Sequence, residues 1–143
     1  MPISFLRHCQ SIFNATGLMA PDIGLSEAGK QHASTITGKF DVVICSPLQR
    51  ARQTLELSQI EYTDVEYFED AREIPDGNII NHYSTESPVP FTQENINRRC
   101  KALKEKIHSY PSDTNVLVVG HHTLFHRLLG LYFVNGQIVQ VNL

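Results

Sequence analysis

The sequence lacks the long apolar stretches that a membrane span or a secretory signal requires. No apolar run approaches the roughly 20 residues of a transmembrane helix, and the opening segment MPISFLRH has no extended hydrophobic stretch. An excess of one charge is also missing, because 12 Lys and Arg stand against 15 Asp and Glu, for a net charge of -3. We therefore expect a cytoplasmic protein whose surface as a whole binds neither nucleic acid nor a membrane.

Cysteine pairs and zinc-binding motifs are absent as well. Cys9, Cys45 and Cys100 are odd in number and widely spaced, and no CxxC occurs. This pattern argues against a disulfide framework or a zinc site and fits a reducing compartment. Without repeats or low-complexity tracts, the 143 residues, 41% of them hydrophobic, suit a single domain that spans residues 1–143.

Three short apolar runs predict buried strands: ISFL from Ile3, VVIC from Val42 and VLVV from Val116. Unbroken apolar runs are typical of a parallel sheet that is covered on both faces. The remaining pattern predicts helices from Ser26 to a stop at Gly38, from Ser46 to about Ser58, from Gln93 to His108 and after His122, with a last strand in QIVQVNL. This alternation predicts an α/β fold: a three-layer sandwich with a mostly parallel sheet and helices on both faces.

Polar side chains follow each of the three apolar runs. They are Arg7 and His8 after the first run, Ser46 and Arg50 after the second, and His121 and His122 after the third. Taken singly, each is more typical of a surface or capping group than of a ligand site. The carboxyl ends of parallel strands, however, lie on the edge of a sheet where ligands bind. Since guanidinium groups and helix N-termini match phosphate oxygens, we expect a phosphate site at this edge.

Five segments, in this order, resemble the histidine phosphatase superfamily, in its phosphoglycerate mutase-like group. They are LRHCQSIFN, GLSEAGKQHA, ICSPLQRARQT, REIPDG and VVGHHTLFHRLL, and together they run from about residue 4 to residue 130. The most specific elements are the Arg-His pair after the first strand, the SPLxRAxxT segment and the late histidine after an apolar strand. The resemblance implies a short single-domain phosphatase that uses no metal or other cofactor.

The resemblance also implies a role for individual residues. It makes His8 the nucleophile, Glu73 the proton donor and His121 the second histidine of the pocket. It places Arg7, Asn14 and Arg50 around the phosphate. If Glu73 is instead a solvated loop acid, Asp70 or Asp76 is the substitute.

These roles are chemically consistent with one another. A neutral imidazole can form a covalent phosphoryl intermediate, and we expect its other ring nitrogen to donate to a backbone carbonyl. Arg7 and Arg50, with His121 if it is protonated, would stabilise the charge that spreads over the transferring oxygens. A carboxyl group such as that of Glu73 would protonate a poor leaving alkoxide.

Two rival sites fail on spacing. A cysteine phosphatase needs five residues between Cys and Arg, but only four separate Cys45 from Arg50, and Ala15 stands where Cys9 would need an arginine. We expect both thiols to be buried fillers. His122 and His126 lie four apart in HTLFH, which lacks the Glu of the metalloprotease motif, so we expect no metal and place His122 at the mouth of the pocket.

Two departures from the family pattern leave alternatives open. The family usually has glycine where this chain has Cys9 and His122, and we expect both side chains to add bulk near the phosphate. This leaves open a catalytically silent module that binds a phosphate or a phosphoprotein. Fewer than fifty residues separate Glu73 from His121, so the lid is small and hydrolysis is favoured over mutase-type phosphoryl transfer. The expected substrate is a phosphorylated small molecule or a phosphoprotein.

Overall fold

The computed structural model describes residues 2–75 and 92–143, and its centre is a sheet of five strands. The strands are β1 (Pro2–Arg7), β2 (Thr37–Cys45), β3 (Gln59–Tyr67), β4 (Val116–Gly120) and β5 (Ile138–Asn142). They lie in the order β3-β2-β4-β1-β5. All neighbours are parallel except β5, which pairs antiparallel with β1. The predicted mostly parallel α/β sheet is confirmed.

Helices cover both faces of this sheet. They are α1 (Ile12–Thr16), α2 (Glu27–Ala33), α3 (Gln49–Leu57), α4 (Gln93–His108) and α5 (His122–Leu129). Successive residues of a strand point to opposite faces, so Val116 and Val118 pack with α4 and α5 while Leu117 and Val119 pack with α2 and α3. This gives three layers with two apolar cores. None of the described helices is long and apolar enough to cross a membrane.

The first predicted helix is shorter than expected. Ser26 does cap α2, because its hydroxyl accepts from Gly29 N at 3.0 Å, but the helix ends at Ala33. Gly38, the predicted stop, lies inside β2 instead. The hydroxyls of Ser34 and Thr35 bond back to carbonyls of the last helical turn, which satisfies groups that a longer helix would have paired.

The other predictions agree to differing degrees. The helix over Gln93–His108 is confirmed at both ends, whereas the one predicted from Ser46 begins at Gln49. The spacing of Leu124, Leu128 and Leu131 predicts one apolar side for the helix after His122, but Leu131 lies beyond the end of α5 and is exposed. Strand β3 was not predicted, because its polar residues leave no apolar run. The segment STESPVP, whose Pro and Ser content predicts a surface loop, lies outside the described residues.

A close contact between α2 and Gln10 fixes the path of the chain after β1. Ser26 N donates to the carbonyl of Gln10 at 3.0 Å, and the Ser26 hydroxyl donates to the Gln10 side chain at 2.8 Å. A Cβ atom at Gly29 would overlap the same carbonyl oxygen. Because Gln10 follows His8 by two residues, this packing also restricts the backbone around His8.

We expect Gly29→Ala to lower the free energy of unfolding by about 1–3 kcal/mol, because the added methyl group forces the Gln10 backbone to shift. Gln31→Ala, on the exposed side of the same helix, should change it by no more than about 0.5 kcal/mol. Urea unfolding monitored by circular dichroism measures both. Equal effects of the two substitutions would show that the contact at Gly29 is not tight.

Candidate active site

Three strand ends bring a serine and two histidines together at one edge of the sheet. His8 follows β1, His121 follows β4 and Ser46 follows β2, and these three strands are neighbours. The ring centroids of His8 and His121 are 5.3 Å apart, and His121 Nε2 lies 2.7 Å from Ser46 Oγ. All three side chains are buried. The expected convergence of distant segments on this edge is therefore present.

Hydrogen bonds fix the orientation of the His8 ring. Its Nδ1 lies 2.7 Å from the carbonyl oxygen of Cys9, and since a carbonyl only accepts, Nδ1 carries the proton. Nε2 is thereby left as the basic nitrogen of the neutral ring. The backbone is held as well, because Cys9 N donates to Thr54 Oγ1 at 3.0 Å, and that hydroxyl donates to the carbonyl of Arg50 at 2.8 Å.

Arg50 and Arg7 place positive charge around both histidines. Burial, followed by the charge of Arg50, holds the pKa of His8 and of His121 well below the usual value, and Arg7 acts in the same direction. Arg50 is itself buried in the first turn of α3. Arg7 donates from Nη1 to the carbonyl of Phe133 at 2.9 Å. Both rings are therefore neutral near pH 7, so the condition that His121 be protonated is not met.

Glu73 is a buried carboxylate at the N-terminus of α5. Its Oε1 accepts from Leu124 N at 2.8 Å and from Ile74 N at 3.0 Å, and its Oε2 accepts from Thr123 N at 3.2 Å. Burial raises its pKa, against the effect of these hydrogen bonds and of the Arg50 charge. The carboxyl thus caps the helix that follows His121, and Glu73 is not a solvated loop acid.

Asp70, the first substitute for Glu73, is committed to a different contact. Its two oxygens accept from Arg98 at 3.1 and 3.3 Å. The neighbouring Arg99 is buried and donates to the carbonyls of Arg72 and Glu73. Asp70 therefore ties α4 to the segment that carries Glu73. Asp76, the other substitute, lies outside the described residues.

Asn14 lies in the first turn of α1, is exposed, and is linked to the backbone of His8 through Asn135. Its Oδ1 accepts from Ser11 N at 3.0 Å, in the capping box of α1, and from Asn135 Nδ2 at 3.2 Å. Asn135 also donates to the carbonyl of His8 at 3.2 Å, next to a bond from Gly136 N to the same oxygen. Sequence reasoning missed Asn135, although the dipeptide Asn-Gly is a turn signal.

His122 holds the loop that follows α5. Its Nδ1 accepts from Phe133 N at 3.3 Å, and its ring stacks on Tyr132 and His126 at centroid distances of 5.8 and 6.3 Å. The carbonyl of the same Phe133 accepts from Arg7. His122 is also near His8, since a positive charge on its ring would lower the pKa of His8. Its ring therefore lies beside the pocket and supports the loop that holds Arg7.

The thiols of Cys9 and Cys45 take no part in the site, although the backbone of Cys9 does. The Cys9 side chain is fully buried in the apolar core beneath α2 and α3, so the expectation that it adds bulk near the phosphate is wrong. Burial raises the pKa of its thiol to about 11, which leaves it unreactive. Cys45 is buried in the same core. The prediction that both are buried fillers is confirmed.

The fold and the pocket define an α/β protein with two neutral histidines and two arginines at the carboxyl edge of a parallel sheet. Residues 3–93 match the family model of the histidine phosphatase superfamily (branch 1). Because the match covers more than half of the chain, the protein belongs to this superfamily. A search of curated protein sequences gives no significant match.

Solved structures share the fold at low sequence identity. A candidate alpha-ribazole-5'-P phosphatase from Escherichia coli aligns with a TM-score of 0.72 and 20% identity, over 99% of this chain and 90% of that one. Phosphoglycerate mutase from Thermus thermophilus gives 0.71 and 19%, over 99% and 93%. A phosphoserine phosphatase from Entamoeba histolytica, solved with 3-phosphoglyceric acid, gives 0.67 and 19%, over 97% and 89%. At these identities the comparison shows the fold alone.

We expect Glu73→Ala to lower the free energy of unfolding by about 1–2 kcal/mol, because α5 loses its cap. Glu73→Gln should cost less, since the amide oxygen can still accept from the helix. Glu105→Ala on the exposed side of α4 serves as the control, with an expected change within about 0.5 kcal/mol. If urea unfolding gives the same stability for Glu73→Ala and for the control, the cap does not stabilise the fold.

Proposed function

We propose that this protein hydrolyses phosphomonoesters through a phosphohistidine formed on His8. One observation carries the proposal. The Nδ1 proton of a buried, neutral His8 is engaged by the Cys9 carbonyl, which leaves Nε2 with its lone pair at the carboxyl edge of the sheet. A neutral ring nitrogen with a fixed tautomer is what nucleophilic attack on phosphorus requires.

In the first step, the Nε2 lone pair attacks phosphorus and the bond to the leaving oxygen breaks. Glu73 gives its proton to that oxygen, and its raised pKa makes it a better acid near neutral pH than an exposed carboxyl. Arg7, Arg50, Asn14 and His121 surround the phosphoryl oxygens. Their charges and donors stabilise the transition state without rearrangement, since they are already held by the fold.

In the second step, water attacks the phosphohistidine. The Glu73 carboxylate takes a proton from that water, the P–N bond breaks, and its electron pair returns to Nε2 of His8. Inorganic phosphate leaves, and the enzyme is restored with Glu73 protonated. Neither reaction step uses a metal or another cofactor. The proposed substrate is a phosphorylated small molecule or a phosphoprotein.

Hydrolysis is favoured over the two alternatives. Mutase chemistry must exclude water so that the phosphoryl group returns to the substrate, and the segment between Glu73 and His121 leaves little chain for a closing lid. A silent binding module was suggested by two residues at usual glycine positions. The burial of Cys9 in the core removes one of those two reasons.

We expect His8→Ala to lower the hydrolysis of p-nitrophenyl phosphate by about 10³-fold or more. His108→Ala, on an exposed position of α4, should leave the rate unchanged. Rapid quenching with labelled substrate should trap a phosphoenzyme in the wild type and none in His8→Ala. Equal rates for wild type and His8→Ala would refute the nucleophile, and transfer of phosphate to an acceptor without its release would favour a mutase.

The lowered pKa of His8 sets the expected acid limb of the rate profile. For a ring with an ordinary pKa near 6.5, the fraction in the neutral form would fall roughly fourfold between pH 7.5 and pH 6.0. Because burial lowers the pKa of His8 well below that value, the ring stays neutral across this range. We therefore expect no fourfold fall in kcat/KM as the pH is lowered from 7.5 to 6.0. A fourfold fall that follows a single titration near pH 6.5 would contradict a buried neutral nucleophile.

We expect Glu73→Gln to lower the hydrolysis of alkyl phosphates by roughly 10² to 10⁴-fold. Aryl phosphates should lose far less, because their leaving groups need little protonation. Asp70→Asn is the matched control and should spare both substrate classes, since the Asp70 carboxylate is bound to Arg98. If the two substrate classes fall equally in Glu73→Gln, the proton donor lies elsewhere.

A further inference from the structure

Ser46 contacts the second histidine of the pocket in a fully buried position. Its hydroxyl oxygen accepts from Leu48 N at 3.2 Å and lies 2.7 Å from His121 Nε2. Both Ser46 and His121 have no exposed surface. The contact is therefore made without competition from solvent. Because Leu48 N is itself a donor, the hydroxyl proton of Ser46 can be accepted only by His121 Nε2 among these two partners.

The neutral state of His121 limits where that proton lies. Burial and the charges of Arg50, Arg99 and Arg7, together with His8, disfavour the imidazolium form. If Nε2 carried the ring proton and donated it to Ser46, the hydroxyl proton would need another acceptor, and the described residues offer none. If the Ser46 hydroxyl donates to Nε2, both groups are satisfied and the ring proton is on Nδ1.

The opposite side of the His121 ring points to the same tautomer. Its Nδ1 is buried and has no hydrogen-bond partner among the described residues. The groups that influence His121 most strongly are Arg50 and His8, which bring positive charge or a ring rather than an anionic acceptor. A buried N–H without an acceptor is unfavourable, and a phosphoryl oxygen bound between the arginines would satisfy it.

We propose that Ser46 is a positioning residue that holds His121 in its Nδ1–H tautomer, so that the neutral ring donates a hydrogen bond to a phosphoryl oxygen. The tautomer follows from the geometry alone, whereas the acceptor rests on the proposed function. A neutral donor has a further advantage here. When His8 is phosphorylated its ring gains positive charge, and a charged His121 with its ring centroid 5.3 Å away would oppose that step.

Nuclear magnetic resonance of ¹⁵N-histidine-labelled protein tests the tautomer directly. His121 is identified among the seven histidines by the loss of its signals in His121→Gln. In the wild type, its Nδ1 should show the shift of a protonated ring nitrogen and its Nε2 that of an unprotonated one, unchanged from pH 6 to pH 8. In Ser46→Ala the two tautomers should mix, because the donor to Nε2 is gone.

Binding of inorganic phosphate at pH 7 provides the second readout. Ser46→Ala should weaken it roughly tenfold, the equivalent of one charge-assisted hydrogen bond made less available. Ser46→Thr keeps the hydroxyl and should restore both the tautomer and most of the affinity. Ser4→Ala is the control, because Ser4 is also a buried serine of the sheet but lies opposite Leu117, four residues before His8 along β1.

Two results would overturn the proposal: an Nε2–H signal for wild-type His121, or an unchanged tautomer and affinity in Ser46→Ala. Should Ser46→Ala fail to fold, the wild-type spectrum and Ser46→Thr still decide the question. Failure of the proposed function is distinguishable, because it would leave the Nδ1–H tautomer in place while His8→Ala and wild type show equal turnover.

Discussion

The hydrogen bond from His8 Nδ1 to the Cys9 carbonyl is the interaction on which the candidate site depends. It decides which ring nitrogen keeps a lone pair, and it joins neighbouring residues, so it needs only a local bend of the chain. That bend is held from outside, since Thr54 binds the Cys9 amide and the Arg50 carbonyl together. One helix, α3, therefore positions the proposed nucleophile and one of its arginines at the same time.

Burial gives the site its electrostatic character. The two histidines and the carboxyl of Glu73 are removed from water, and burial favours the uncharged form of each. The arginines remain charged, so the field of the pocket is set by Arg7 and Arg50. Such a pocket attracts an anion while its nucleophile stays basic and unprotonated. Desolvation and the charges of the arginines act in the same direction, since both keep the imidazole unprotonated.

The sequence predicts the central strands and the convergence of their ends, because apolar runs and the residues that follow them are local signals. Strand β3 escapes prediction because its edge position exposes most of its side chains, and an exposed strand needs no apolar run. The end of α2 escapes because serine and threonine hydroxyls stop it through side-chain bonds. The bounds of α4 are predictable, since its apolar spacing is regular.

The site, like the fold, has features with a local sequence signal and features without one. Candidate residues such as His8 and His121 are found through strand ends and family resemblance. Their protonation states cannot be found from the sequence, because these states depend on burial and on contacts across the fold. Glu73 caps a helix some fifty residues further along the chain, and Asn135 reaches His8 from beyond α5. Contacts of this kind leave no periodic trace in a sequence.

The antiparallel pairing of β5 with β1 has a practical consequence. Strand β1 runs toward His8, so Pro2 lies at the far end of the sheet, and the register places Asn142 beside it. Peptides fused near either residue would emerge on the side of the molecule opposite the histidines. Immobilisation or labelling through such extensions would therefore leave the approach to the pocket unobstructed.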